Sequence, residues 1–167
     1  HTLSHIIPLV KQLCDNATRQ DKIAFTVCQW DDCMYDMKPD NLLVFSIGNS
    51  TDIPLPLIAE DKNYTLLHTP RKTKREYLAS FVGSCTHSLR RRMTDILSKS
   101  SDICIHMKDT WSSIITDDAR STFVDVTMNS RFGLAPRGYG PSSFRFFEIM
   151  ELGVIPVYIH DGHNALP

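Results

Sequence analysis

Ser130-Arg-Phe-Gly-Leu-Ala-Pro-Arg-Gly-Tyr-Gly-Pro-Ser-Ser-Phe-Arg-Phe-Phe-Glu-Ile-Met-Glu-Leu-Gly-Val-Ile-Pro-Val-Tyr-Ile159 reads as strand, glycine loop, helix, strand. Residues 130–136 are short, mostly apolar and ended by a proline, as a buried parallel strand is. Residues 137–143 supply glycines for a turn, Pro141 suited to a first helical turn, and Ser142 and Ser143 able to cap it. Phe144, Phe147 and Met150 recur at helical spacing up to Leu152. Gly153 then stands where a helix ends on a left-handed residue, and Val154–Ile159 follows as the next strand. The unit is βαβ.

Working outward, the rhythm repeats upstream. Leu78–Val82 is a strand ended by Gly83, and Ser88–Leu97 a helix with Leu89, Met93, Ile96 and Leu97 as its apolar stripe. Asp102–Met107 is the next strand and Asp117–Met128 the next helix. Strands alternating with helices predict an α/β fold, a Rossmann-like parallel sheet with helices on both faces and right-handed crossovers. Ligands of such sheets bind beyond the carboxyl ends of the strands, where the Gly83 and Arg137 loops fall.

The chain opens with a helical pattern over Leu3–Gln20, interrupted by Pro8, so a kink or a helix starting near the proline is expected. Lys22–Gln29 and Asn41–Ile47 read as buried strands. Between them lies an acidic loop, Trp30–Asp36. Asp31 and Asp32 suit metal binding, general-base work or contact with a sugar, although aspartates after a strand are more often solvated turn residues. Asp52–Pro56, with polar residues after it, resembles a linker. That divides the chain into 1–50 and 51–167. The basic run Arg71–Arg75 reads as a solvated face.

The glycine loop suits a phosphate, because unpaired backbone N–H groups and the positive end of the helix dipole meet there. Gly138 lets an anion approach the backbone, Ser143 caps the helix or binds a phosphate oxygen, and Arg137 and Arg145 flank the loop with bidentate donors. Arg90 follows the Gly83 loop as a second phosphate contact, although Arg90, Arg91 and Arg92 cannot all face one ligand. Glu148, one helical turn beyond Arg145, accepts hydroxyl hydrogen bonds from a ribose. Arg145 and Glu148 read equally as an intrahelical ion pair. His87, His106, His160 and His163 are the histidines nearest these loops; His160, Asp161 and His163 follow the last strand on the same rim, open to an acceptor or sugar, although a lone histidine in a turn is usually a polar turn residue.

Composition narrows the classes. A net charge of −1 with 42% hydrophobic and 22% charged residues is that of ordinary globular protein and argues against a general nucleic-acid binder. No apolar run reaches the roughly 18 residues of a membrane span. The five cysteines have no zinc spacing, and no metal site is expected. Cys85 and Cys104 are expected to come within bridging reach if their strands are adjacent. Asn16, Asn49 and Asn63 open glycosylation sequons, which point to a secretory route. There is neither a Gly-x-Ser-x-Gly elbow nor a P-loop lysine.

Ser130-Arg-Phe-Gly-Leu-Ala-Pro-Arg-Gly, then Ser143-Phe-Arg-Phe-Phe-Glu148, then Gly153-Val-Ile-Pro-Val, resembles in order and spacing the signature of the exostosin family of glycosyltransferases. Asp52-Ile-Pro-Leu-Pro and Phe81-Val-Gly with Arg90 beyond it are more weakly similar. The likeness covers about residues 50 to 167 well and the first fifty loosely. Where family members carry two cysteines in these motifs, this chain has Gly133 and Val154, which looks like one packing change on neighbouring strands.

The resemblance implies the C-terminal, nucleotide-sugar-binding lobe of a two-lobed transferase of the GT-B type, with the tail of the N-terminal lobe attached, in a chain read as a fragment. It implies inverting transfer from a uridine diphosphate sugar to a hydroxyl of a glycan or glycoprotein acceptor in the Golgi lumen. No permanently bound cofactor is implied, and dependence on a divalent cation is open. Membrane attachment would come through a segment outside this chain, and homo- or hetero-oligomers are both open. A non-catalytic exostosin-like domain, a partner subunit or glycan-binding module, is the alternative. The general base would be Asp31 or Asp32, or lie outside the chain.

Overall fold

A computed structural model describes residues 3–28, 38–47, 51–57, 70, 73–112 and 114–162. Asp31, Asp32, Cys33, the Asn49 and Asn63 sequons and His163 lie outside the described residues. The chain forms two compact units. One reaches to Pro56; the other runs from Leu57 through Tyr139 and resumes at Ser143.

The first unit contains helix α1 (Leu3–Arg19) and a parallel sheet ordered β1 (Ala24–Cys28), β2 (Leu42–Ser46), β3 (Ile53–Pro54). Pro8 is carried inside α1 rather than starting it. Cys14 and Val10 of the helix pack on Leu42, Val44, Ala24 and Cys28. The other side of β1 stays in water: Phe25 is 65% and Val27 56% exposed. The expected burial of this strand therefore holds on one face only, because α1 covers one face.

The expected linker at Asp52–Pro56 is instead built into the sheet. Ile53 and Pro54 pair with Phe45 and Ser46. Val44 N donates to Asp52 Oδ2 at 2.8 Å, Lys38 Nζ pairs with the same oxygen at 3.1 Å, and Leu55 N donates to Ser46 O at 2.8 Å. The open edge of β2 offers backbone groups that a proline-rich segment still satisfies in part.

The second unit alternates β4 (Tyr77–Ser84), α2 (Ser88–Leu97), β5 (Ile103–Lys108), α3 (Asp117–Met128), β6 (Ser130–Pro136), α4 (Phe144–Glu151) and β7 (Ile155–Ile159). Its sheet is parallel throughout, in the order β5-β4-β6-β7. Side chains alternate across it. Ala79, Phe81 and Leu134 face Met93 of α2, while Ala135 faces Phe123 and Met128 of α3 and Ile149 of α4. Each large apolar side chain buried this way contributes about 1.5–3 kcal/mol.

Local chemistry sets the helix ends. Thr116 Oγ1 accepts from Ala119 N at 3.2 Å and Asp117 and Asp118 fill the first turn of α3, where the dipole favours carboxylates. Gly153, at φ +67°, ends α4, with its N–H donating to Met150 O and that of Val154 to Ile149 O. Pro141 falls outside α4, which begins at Phe144 after Ser143. The helix starts later than the proline because the loop runs on to Ser143, the N-cap.

Gly133 is a packing requirement. A Cβ there would lie 2.6 Å from Cγ2 of Ile149, so α4 rests on bare backbone. Val154 is buried in the same cluster as Ile149. Cys85 and Cys104 are both free. Their strands are adjacent, but Cys104 is aligned with Ser80, which puts Cys85 about 16 Å further along the strand and out of bridging reach.

Arg75 corrects the reading of its run as a solvated face. It donates to Ser130 O at 2.8 Å and Gly153 O at 3.2 Å, fastening the amino ends of β6 and β7. Its side chain is half-buried and gives these carbonyls a charged donor.

Candidate functional site

Chain order reverses between β4 and β6: from β4 the chain passes to β5 on one side, and from β6 to β7 on the other. The backbone ladder also fails there. β4 pairs with β5 as far as Ser84↔Lys108 and β6 with β7 as far as Pro136↔Ile159, but β4 and β6 pair only to Ser80↔Gly133. The carboxyl end of the sheet is split at its switch point, the place where open α/β sheets take ligands.

Two arginines hold the split. Arg90, 8% exposed on the inner face of α2, donates from Nε to Arg137 O at 2.8 Å, from Nη1 to Ser84 O at 2.8 Å and from Nη2 to Pro136 O at 3.2 Å. Three of its five N–H donors are thus committed to carbonyls. Burial, with the charge of Arg145 nearby, lowers its pKa to about 10, so it stays charged at neutral pH. Arg145 donates from Nε to Val82 O at 2.8 Å and lies over the ring of buried Phe123 at 4.0 Å. This is a cation–π contact in a partly desolvated setting.

The remaining predicted residues fall into two groups. Arg137 Nη1 donates to both carboxylate oxygens of Asp161 at 3.0 Å and Nη2 to Tyr139 O at 3.2 Å. His87 Nε2 lies 3.8 Å from Asp161 Oδ2, while its Nδ1 accepts from Leu89 N at 3.2 Å and caps α2. Gly138 lies against the same place: a Cβ on it would be 3.4 Å from Arg90 Nη2 and 3.8 Å from Thr86 Oγ1. The second group is the ion pair of Arg145 Nη1 with Glu148 Oε2, one turn apart on α4. Glu148 is therefore positioned by Arg145, as the intrahelical reading of the pair expects.

Several buried polar atoms here have no hydrogen-bond partner among the described residues: Thr86 Oγ1, Arg137 Nε and Ser143 Oγ. Ser143 sits at the N-cap of α4 with extended backbone (φ −142°, ψ 124°), yet its hydroxyl makes no capping bond, contrary to the expectation that it caps. Buried hydroxyls and guanidinium N–H groups cost free energy when left unpaired, by about 1–3 kcal/mol each. These atoms lie, with the N-terminus of α4, in the loops at the carboxyl end of the sheet, and hydroxyl and guanidinium donors of this kind suit an anion. Among the described residues no three His, Cys, Asp or Glu side chains are grouped as metal ligands would be.

Thr86 and Phe123 escaped the sequence reading. Thr86 sits two residues before the first residue of α2, a position whose hydroxyl could have been marked as loop chemistry. Phe123 is one apolar position in a helical stripe, and no local signal distinguishes a ring under an arginine from an ordinary core ring. Asp161, read as a rim residue open to a sugar, is committed to Arg137. His160 accepts from Gly162 N at 3.2 Å and stacks on Tyr158.

The sequence matches the Exostosin GT47 domain over residues 8–165. It is 30% identical over 137 residues to an Exostosin-1 homolog of Caenorhabditis elegans, a match that takes in 66% of this chain and 35% of that protein.

Proposed function

Since the chain belongs to the Exostosin GT47 domain family, which is one of glycosyltransferases, we propose that it binds a nucleotide-sugar donor at the split between β4 and β6. The donor is a uridine diphosphate sugar, and the reaction passes the sugar with inversion to a hydroxyl of a glycan acceptor. The setting is the Golgi lumen or another part of the secretory route. Among the described residues no helix is long and apolar enough to cross a membrane.

The observation that carries this reading is the pairing of buried cations with unpartnered donors at one sheet end. A departing diphosphate gains negative charge as the glycosidic bond to the nucleotide breaks. Arg137 Nε, the hydroxyls of Thr86 and Ser143 and the first-turn amides of α4 are pre-set to accept that charge. Arg90 holds the loops that carry them. Glu148, with Oε2 engaged by Arg145, turns its other oxygen to a ribose hydroxyl. Inversion needs a base for the acceptor hydroxyl, and Asp31 and Asp32 are the candidates from the first fifty residues.

Calorimetric titration with uridine diphosphate, and guanosine diphosphate as control, tests the reading. Saturable, uridine-selective binding lost in Arg145→Ala and Glu148→Ala, with folding intact, supports it. Absence of nucleotide binding by folded protein sinks it in favour of a non-catalytic glycan-binding or partner domain. Asp31→Asn or Asp32→Asn should then lower kcat and leave nucleotide affinity alone if either is the base.

A further inference from the structure

Trp111 and Tyr139 stand in the loops that leave the carboxyl ends of β5 and β6. Their rings meet edge to face, with centroids 6.4 Å apart and planes at 81°. Both stay largely in water, at 60% and 68% exposure. An aromatic pair built for stability hides both rings in a core, whereas here the edge of one ring meets the face of the other and more than half of each residue stays exposed. Ile114 and Ile115, in the same loop as Trp111, are also exposed.

The pair is continuous with the candidate donor site. Tyr139 follows Arg137 by two residues, and its carbonyl accepts from Arg137 Nη2 at 3.2 Å, so the guanidinium that faces Asp161 also fixes the backbone carrying the ring.

The geometry points to a stacking platform for one pyranose ring of the glycan acceptor. A pyranose has an apolar C–H face and a rim of hydroxyls that remain hydrated, so it gains from an exposed aromatic face without losing its water. Ring planes near a right angle form a corner that receives the face and the edge of a puckered chair. A flat base gains most by stacking parallel to a ring, and only one of two perpendicular rings offers it that. The identity of the ligand as a sugar rests on the transferase reading above; the platform rests on the two rings.

The test follows the indole N–H signal of Trp111 in the full, nitrogen-15-labelled chain, assigned by its disappearance in Trp111→Phe. Tetrasaccharides of β-1,4-glucan, xylan, mannan and heparosan are titrated separately from uridine diphosphate. The expected result is a saturable shift with at least one tetrasaccharide. Tyr139→Ala should weaken that binding on the order of tenfold, as loss of an aromatic anchor does, and Tyr139→Phe, which keeps the ring, should restore it. Uridine diphosphate should leave the signal in place, and Arg145→Ala should leave saccharide binding intact. A shift with the nucleotide alone overturns the proposal in favour of base stacking, and no shift with any saccharide overturns it outright. Saccharide binding in a protein that binds no nucleotide would remove the donor site and leave the platform standing.

Discussion

Both ends of the four-stranded sheet are fastened by arginines, and the two ends differ in what the fastening leaves over. At the amino end Arg75 reaches the carbonyls of Ser130 and Gly153. At the carboxyl end Arg90 and Arg145 close the carbonyls of Ser84, Pro136, Arg137 and Val82, yet Thr86, Arg137 and Ser143 keep buried polar atoms without partners. An arginine against carbonyls is thus no sign of a ligand. The unmatched donors beside it are what set the proposed site apart from the amino end.

The largest expected effect lies at Arg90. Arg90→Met keeps much of the side-chain volume and removes every donor, which leaves the carbonyls of Ser84, Pro136 and Arg137 unpaired. We expect a loss of about 3 kcal/mol in urea unfolding, together with loss of nucleotide binding. Unchanged stability would break the view that Arg90 holds the split.

Next comes Gly133→Cys, the residue that the resemblance expects at this position, which forces a Cβ into Ile149. It should cost about 2 kcal/mol. Combined with Ile149→Ala, which removes every atom the new Cβ would meet, it should cost less than the sum of the two single changes in a double-mutant cycle. Additive costs would mean that Gly133 and Ile149 are not the coupled pair.

Arg75→Met sharpens the comparison from the other side. It should lower stability by about 1.5 kcal/mol while uridine diphosphate affinity stays as it was. A parallel fall in affinity would erase the distinction between the ends.

The smallest effect on stability is expected for Asp161→Asn, because its ion pair with Arg137 is partly exposed and screened, worth up to about 1 kcal/mol. Nucleotide affinity, measured by calorimetry, should nonetheless change, since Arg137 loses its orienting partner. No change in affinity would detach Arg137 from the site.

Much of the second unit was legible. Ser130–Pro136, Ser88–Leu97 and Asp117–Met128 have the bounds that periodicity and punctuation predict, because Gly153 and the residues before each helix act locally. Gly83 does not end its strand as expected: β4 runs on to Ser84 because β5 pairs with it there, Gly83 opposite Met107. Asp52–Pro56 was not legible, since its strand pairing and the bond from Val44 N to Asp52 depend on the edge of a strand distant in sequence. Neither was the fate of each arginine. Arg90 shares its helix face with Met93 and turns inward, whereas its neighbour Arg91 pairs at the surface with Asp109 at 3.3 Å. The spacing of Arg145 and Glu148 was readable as an ion pair or as a ligand site. The structure shows the ion pair, and only titration with a nucleotide adds the second role.

The early end of the β4–β6 ladder at Ser80↔Gly133 has a consequence for how such a lobe can diversify. Backbone rungs are common to every sequence and can be altered only by changing the topology. Where the last rungs are guanidinium side chains, single substitutions can widen, narrow or tilt the mouth between two intact strand pairs. Under the proposed function, donor preference then becomes something that drifts by point mutation on a fixed scaffold.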